Sequence, residues 1–527
     1  MELKLILNRL KEFENCTLVY YEGGERLIKT YGEIYIDVRK LLSHMIESGL
    51  QPEDRIGILA QNCYEWIVID LACLIGGYIT VPFHSTTYEA ELENIVERYD
   101  LKVIFADKEG MKKLAVQIPV IDMSTLKETI QNQSNIIEYS ASLEGEDKFS
   151  VVFTSGTTSI PKAIELKVKT FDDFLMNVHR MFQFSKEDKI ILFLPLSHFG
   201  QRSYVYSAIL SGFHMILCQP QNVIKSLRVD KPTILVAVPY FFENIYKSFY
   251  ENICSSKFKY ICYKVSTMFC NLFSESTSKK MKRSIFKEFY TFLGGKMRLM
   301  VTGSAPISFN TLKFFQDMGI TLYEGYGTNE TGLIALNCLE YARLGSVGKI
   351  FPNKQVMLDE DGQIRVKSEF CWAERYLEAS EKENSEVFAS DGYINTGDIG
   401  YFDKDGFLYI KGRIKENIVL SNGKKVFPNL IEDELNKSQF IKQSAVFGNK
   451  QPYLVAVIVR SSSDVQEKAI LKEIKKVNST LPEYAKVREY IVTDVAFQVD
   501  NDMLTSSLKL QRSKIYSYYE KQLLDLY

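Results

Sequence analysis

The sequence predicts an α/β protein: a large N-terminal domain of parallel-rich sheets with flanking helices, and a small α+β domain at the C-terminal end. Three observations carry this. Strand-type apolar runs alternate with helix-period segments through the first part of the chain, a rhythm that builds crossover units and parallel sheets. The character changes after Gly412-Arg413, leaving a tail of ordinary domain size. The 527 residues are 46% hydrophobic and 25% charged, a globular mix long enough for several compact units at about 150 residues each.

The elements follow in order. The start, Met1 to Arg9, has charges inside a short apolar run and no small-residue cleavage site, so it is expected to open an amphipathic helix and not a signal peptide. Residues 30–50 place Ile34, Val38, Leu41, Leu42 and Met45 at helical spacing. Arg55 to Ala60 reads as a buried strand, 65–76 as a helix, 78–82 as a strand, 88–99 as a helix and 103–106 as a strand. Further strands are expected at 190–194 and 233–237. In the tail, 432–437 reads as helix, 453–459 as strand and 465–477 as helix.

Composition narrows the function. A net charge of −2 lacks the basic footprint of a nucleic-acid binder, so no such partner is expected. No uncharged apolar stretch reaches about 18 residues, so no spanning helix is expected. Nine scattered cysteines without a C-x-x-C pair argue against structural zinc or a disulfide scaffold and for a reducing cytoplasm. Cys254, Cys262 and Cys270 recur at eight-residue spacing, which can fall on one helix face, and are read as buried small apolar residues. Residues 253–289 interleave aromatics with lysines and carry few acids. Two readings are open there: a basic amphipathic surface on an anionic bilayer, or a helical hairpin that buries its aromatics and solvates its lysines.

Three segments carry chemistry. In Val151 to Ala163 an apolar strand runs into a hydroxyl-rich loop, Thr154-Ser155-Gly156-Thr157-Thr158-Ser159-Ile160-Pro161, that ends in Lys162. Backbone N–H groups, hydroxyls and one cation at short range suit a polyphosphate, although an ordinary Ser/Thr turn has the same composition. It is not a Walker loop, because Pro161 replaces a glycine and Ala163 follows the lysine. In Leu322 to Gly332, Gly325 and Gly327 allow close backbone approach, Tyr326 offers a stacking face and Glu330 a carboxylate for magnesium. In Asp391 to Arg413, tandem Asp-Gly turns predict hairpins, with Asp398 able to accept hydrogen bonds from ribose hydroxyls.

Together these segments resemble the adenylate-forming, AMP-binding superfamily of acyl-CoA synthetases, peptide-synthetase adenylation domains and luciferases. The resemblance is most specific at 154–162, 326–330 and 396–416 and is greatest to bacterial-type long-chain fatty-acyl-CoA ligases. Further likeness lies in Leu194 to Arg202, Gly294 to Pro306, Gly345 to Lys349 and Leu504 to Arg512. It implies an N-terminal AMP-binding domain over 1–412, a hinge over 413–416 and a mobile C-terminal lid domain over 417–527. It implies that a carboxylate attacks ATP, pyrophosphate leaves, and a thiol then takes the acyl group. ATP and coenzyme A are the implied co-substrates, and Mg2+ the cofactor. Thr154, Ser155, Gly156, Thr157, Thr158 and Lys162 would hold phosphates, with Thr154 and Glu330 on the metal. Gly303, Ser304, Ala305, Tyr326, Gly327, Thr328 and Asn329 would border the nucleotide, and Asp398 and Arg413 the ribose. Lys509 is the implied catalytic lysine at the α-phosphate and His198 lies at the carboxylate pocket. Lys415 is the implied hinge, and Gly423 lines the passage for the thiol arm, where a side chain would obstruct it.

The chain departs from the family pattern at Ser159 and Ala163, where glycine is usual, at Lys167-Val168, Asn329 and Asn395, and near Trp372 to Tyr376. The expected function is an ATP-dependent acid–thiol ligase that activates a long-chain fatty acid and delivers it to coenzyme A. Alternatives are loading of a carrier-protein pantetheine arm, and a degenerate ATP- and lipid-binding protein without turnover. Peripheral contact with the inner face of the membrane through 253–289 is a further expectation.

Overall fold

The computed structural model describes residues 2–83, 92–114, 116–153, 162–498, 500–504 and 510–527. The chain falls into two compact units. The first comprises Met1–Ser304, Leu312–Val356 and Val366–Ile394, and the second Ala305–Thr311, Met357–Arg365 and Asn395–Tyr527.

Two large sheets organise the first unit. Among the described residues, one has nine strands, in the order Lys349–Ile350, Gly332–Leu336, Leu322–Thr328, Leu299–Gly303, Ile234–Ala237, Lys189–Leu192, His214–Leu217, Thr17–Glu22 and Glu25–Thr30. Its inner pairings are parallel, and antiparallel strands close both edges. The other has six strands, in the order Val120–Asp122, Leu101–Ala106, Arg55–Leu59, Ile79–Phe83, Lys148–Phe153 and Ala163–Lys167, with only its last pairing antiparallel. Parallel strands need crossover helices on their faces, so they are apolar along their whole length. One core accordingly takes side chains from both sheets and from the helices Tyr31–Glu47, Tyr64–Gly76, Val168–Phe182 and Phe199–Ser211.

The first of these helices starts where the sequence directs. Thr30 accepts from the Glu33 N–H at 3.1 Å, and Glu33 accepts from the Thr30 N–H at 2.8 Å, a reciprocal cap. The helix expected over 88–99 is found at Leu92–Arg98, and 84–91 lie outside the described residues.

A charged network crosses this core. Arg202 is fully buried and forks onto Asp70, with Nε to Oδ2 at 2.9 Å and Nη2 to Oδ1. It also donates to Ser150 Oγ at 2.6 Å and Thr80 Oγ1 at 2.8 Å. Burial lifts the Asp70 carboxyl above its ordinary value, and the Arg202 guanidinium and the Tyr206 hydroxyl offset only part of that rise. Ser150 and Thr80 are register partners in the six-stranded sheet, so Arg202 ties two helices to the strand that leads into the hydroxyl-rich loop.

The second unit contains a three-stranded sheet of Ile441–Phe447, Leu454–Arg460 and Val487–Thr493. Its central strand is apolar at nearly every position because both faces are covered. Leu454, Ala456 and Ile458 pack with the helices Pro428–Asn436 and Glu467–Asn478, while Val455, Val457 and Val459 pack with the helix Arg512–Leu524. Glu432 is buried, accepts from the Val446 N–H at 2.7 Å and pairs with Arg512 at 2.6 Å.

Two readings of 253–289 need correction. Cys270 is buried, but Cys254 and Cys262 are exposed. A hairpin that buries its aromatics is only partly present: Tyr263 and Phe289 are buried, whereas Phe258, Phe269 and Phe273 stand out to solvent. No helix among the described residues is long and apolar enough to cross a membrane.

Candidate functional site

Lys148–Phe153 and Ala163–Lys167 are antiparallel, with Phe153 the register partner of Ala163. The two ends of the hydroxyl-rich loop are therefore neighbours on one ladder. Thr154, Ser155, Gly156, Thr157, Thr158 and Ser159 lie outside the described residues. Lys162 is described. Its Nζ is 3.1 Å from Glu383 Oε1 and 4.8 Å from the ring centre of Tyr376.

Tyr376 is the meeting point of this part of the molecule. Its hydroxyl donates to Glu330 Oε1 at 2.6 Å. Its own placement is fixed by Asn384, a buried residue that accepts from the Tyr376 N–H at 2.8 Å and donates to the Tyr376 carbonyl at 3.3 Å. Asn384 belongs to the short helix Glu381–Val387, which Ser380 and Glu383 cap reciprocally. The Ser380 N–H and hydroxyl, with the Lys162 ammonium, hold the exposed Glu383 carboxyl down at about 2. Lys162 and Glu330, far apart in sequence, thus share one tyrosine.

Glu330 sits in the turn between Leu322–Thr328 and Gly332–Leu336. Thr328 and Thr331 close that turn, each hydroxyl accepting from the other's N–H, at 3.2 and 3.3 Å. Gly332 has φ +68°, and a Cβ there would fall 2.4 Å from Trp372 Nε1. The Ala373 N–H donates to the Glu330 carbonyl at 2.8 Å. The half-buried Lys354 donates to the Thr331 carbonyl at 2.8 Å and to the Phe370 carbonyl at 2.6 Å, binding the turn to the 370–376 segment. Asn329 donates to the Phe153 carbonyl at 3.2 Å, the last described residue before the loop.

Tyr326, Gly327 and Thr328 end the Leu322–Thr328 strand, with a bulge between Tyr326 and Gly327. Gly303 ends the neighbouring parallel strand, where a Cβ would meet the Gly325 carbonyl at 2.8 Å. Ser304 follows with φ +69°, an uncommon backbone state for serine. Ala305 begins a segment of the second unit. Desolvation pushes the Glu324 carboxyl up to about 8 against the opposing pull of the Gly345 N–H.

The Asp398–Arg413 pair is built by register in the second unit. Asp398 and Arg413 face each other across the hairpin Ile394–Phe402 and Leu408–Arg413, and Arg413 Nε donates to Asp398 Oδ1 at 3.1 Å. Asp398 is buried and Arg413 half-exposed. The Asp398 N–H donates to Thr396 Oγ1 at 3.1 Å, and Thr396 donates to the Ile364 carbonyl at 2.8 Å. Asn395 accepts from Arg365 Nε at 2.9 Å.

Lys415 lies exposed in a short turn of 3-10 helix, Ile414–Glu416. Gly423 has φ +78° in a turn closed by its N–H on the Leu420 carbonyl at 2.9 Å, and a Cβ there would meet nothing within 4 Å. His198 is exposed at the start of the Phe199–Ser211 helix, where its carbonyl accepts from the Gln201 N–H at 3.0 Å. Lys509 lies outside the described residues.

Sequence reasoning missed Tyr376, Glu383, Asn384 and the buried Arg202–Asp70 pair. The Ser380-x-x-Glu383 pattern was a visible cap signal. Nothing in local periodicity pointed Tyr376 at Glu330.

Comparison with known proteins places these observations. Residues 9–370 match the AMP-binding enzyme family, and 415–527 match the AMP-binding enzyme C-terminal domain. A long-chain-fatty-acid–CoA ligase of Mycobacterium bovis is 25% identical, over 92% of this chain and 90% of the relative. Human long-chain-fatty-acid–CoA ligase 1 is 26% identical, over 92% of this chain and 80% of its own. Among solved structures, ATP-bound MatB from Rhodopseudomonas palustris superposes with a TM-score of 0.77 at 20% identity, covering 98% of each chain. The adenylation domain of a Segniliparus rugosus carboxylic acid reductase gives 0.78 at 18% identity, over 100% of this chain and 94% of that one. The family match spans both ends of the Lys162 loop and the Glu330 turn that Tyr376 joins to it: the chain belongs to the AMP-binding enzyme family.

Proposed function

We propose that this protein is an AMP-forming acid–thiol ligase that activates a long-chain fatty acid and transfers it to coenzyme A. The observation that carries the reading is the meeting of Lys162 and Glu330 on Tyr376, within a chain similar along most of its length to long-chain fatty-acid–CoA ligases. A cation and a carboxylate held at one point suit a nucleotide triphosphate that arrives with its own metal ion.

In the first step a fatty-acid carboxylate oxygen attacks the α-phosphorus of ATP, and pyrophosphate leaves. In the second the thiolate of coenzyme A attacks the acyl carbon, and AMP leaves. Both steps bring anions together, so the protein's task is positioning and charge neutralisation. Lys162 and the 154–158 segment hold the β- and γ-phosphates in this reading. Gly303, Ser304, Ala305, Tyr326, Gly327, Thr328 and Asn329 border the nucleotide, and Asp398 and Arg413 bind the ribose. Lys509 meets the α-phosphate and carboxylate in the first step, and His198 borders the carboxylate pocket. The lid turns at Lys415 and brings Gly423 to the thiol passage for the second.

The residues present fit magnesium. No group of three His, Cys, Asp or Glu among the described residues forms a cage, and Glu330 offers a single carboxylate with one oxygen engaged by Tyr376. Magnesium entering with ATP takes one or two carboxylates plus phosphate oxygens, so Thr154 and Glu330 would hold it, and it supplies positive charge to the phosphates. We assign the protein to the cytoplasm, with peripheral membrane contact through residues 253–289.

Mass spectrometry of acyl-AMP and acyl-CoA across a fatty-acid panel tests the reading. Wild type is expected to form both species with long chains, and Lys509→Ala to lose acyl-AMP. Pyrophosphate release no greater than in Lys509→Ala at every chain length would overturn it. An acyl group delivered only to a carrier protein would move the acceptor assignment and leave the first step standing.

A further inference from the structure

The helix Lys257–Cys270 has two apolar faces where a surface helix normally has one. Tyr263, Thr267 and Cys270 form the face that packs on the protein. On the opposite side Phe258, Ile261, Val265, Met268 and Phe269, continued by Leu272, are exposed. Phe258, Met268 and Leu272 are 75%, 71% and 74% exposed. At about 100° per residue these side chains fall within an arc of roughly 100°. They form one stripe and not a scatter, and contiguous exposed apolar patches mark interaction sites.

The charges bordering the stripe choose the occupant. Lys257 and Lys264 lie along one flank by the same helical geometry and Lys259 lies toward the other. The helix carries no Asp or Glu, and none of these lysines pairs with a carboxylate among the described residues. The next helix, Glu275–Ile285, adds exposed Lys280 and Arg283. A second copy meeting this face would bring lysine against lysine. An anionic lipid surface takes the apolar stripe into its acyl boundary and the ammonium groups at its headgroups. We infer that the Lys257–Cys270 helix is an in-plane docking helix for an anionic bilayer, inserting Phe258, Ile261, Val265, Met268 and Leu272 while Lys257, Lys259 and Lys264 meet the headgroups.

This deepens the membrane-contact part of the reading above and gives it a face and a lipid chemistry. It also bears on substrate supply, because long-chain fatty acids partition into bilayers. Flotation of the full chain with phosphatidylcholine vesicles, alone or mixed with phosphatidylglycerol, tests it. Wild type is expected to float with the mixed vesicles and to be released by high salt. Val265→Asp with Met268→Asp is expected to weaken binding by at least about tenfold, since each charge opposes insertion. Lys257→Gln with Lys264→Gln, which leaves the apolar stripe intact, is expected to remove the preference for anionic vesicles. Equal flotation of the aspartate variant and wild type would overturn the inference, as would equal binding to neutral and anionic vesicles. So would a concentration-dependent dimer that the aspartate variant abolishes. Acyl-CoA formation from fatty acid presented in solution is expected to be unchanged in both variants. Its absence in wild type would count against the ligase reading, while flotation would still decide docking by itself.

Discussion

Tyr376 does for two charged residues what neither could do for itself: its ring lies under the Lys162 ammonium and its hydroxyl holds one Glu330 oxygen. A hydrogen bond to a charged group contributes about 1.5–3 kcal/mol, so Tyr376→Phe should lower kcat/KM for ATP by about tenfold or more. Pyrophosphate release under limiting ATP measures this, and an unchanged value would remove Tyr376 from the site. Glu383 is the anion that pairs with Lys162, 3.1 Å away, and in the proposed reading it competes with the phosphates for that ammonium. Glu383→Gln keeps an acceptor for the Ser380 cap and removes the competing charge. KM for ATP is expected to fall about two- to threefold, in line with the small worth of exposed pairs; a KM equal to or above wild type would show that Glu383 assists Lys162. Glu330, Asp398 and Arg413 could be singled out as candidates in the sequence because each stands at a fixed place in a recognisable motif. Tyr376 could not, because it comes from a segment with neither helical nor strand period, and the cap signal at Ser380 and Glu383 marked a helix start without pointing to Lys162.

Elements were more legible than their ends. The alternating strands and helices of the first part of the chain lie where periodicity put them, most of them displaced by a residue or two. The helix expected from 432 starts earlier, at Pro428, because proline suits a first helical position, where its missing N–H costs nothing. The antiparallel strands at the sheet edges were not anticipated, since an edge strand carries no mark of its neighbour's direction. Within the Glu330 hairpin, Gly332 carries a mechanical duty. A side chain there meets both an unfavourable backbone state and the Trp372 indole at 2.4 Å. Gly332→Ala is therefore expected to cost about 1–3 kcal/mol of stability and to lower activity with it, since the turn that carries Glu330 must shift. Urea denaturation beside ATP kinetics checks both, and a variant with wild-type stability and kinetics would show that the turn relaxes freely.

For the whole molecule, Glu324 sets a pH dependence. Its carboxyl is raised from 4.5 to about 8, so between those values the folded chain keeps a proton that the unfolded chain has released. Stability is fully present below the lower value, is lost progressively as pH climbs to about 8, and levels off above it. Glu324→Gln removes this titration, and its melting temperature is expected to fall less than that of wild type between about pH 5 and 8. Parallel slopes in the two proteins would contradict the raised carboxyl. The buried Arg202–Asp70 pair was invisible to pattern reading for a related reason: a lone charge in an apolar helix has no periodic signature, and only the fold brings its partner to it.

The pairing of Phe153 with Ala163 makes the hydroxyl-rich loop a detour from a hairpin whose two legs already hold each other. Residue changes in such a detour leave the ladder beneath it in register. Ser159 lies between those legs, so Ser159→Gly is expected to leave the strand pairing unchanged whatever it does to catalysis.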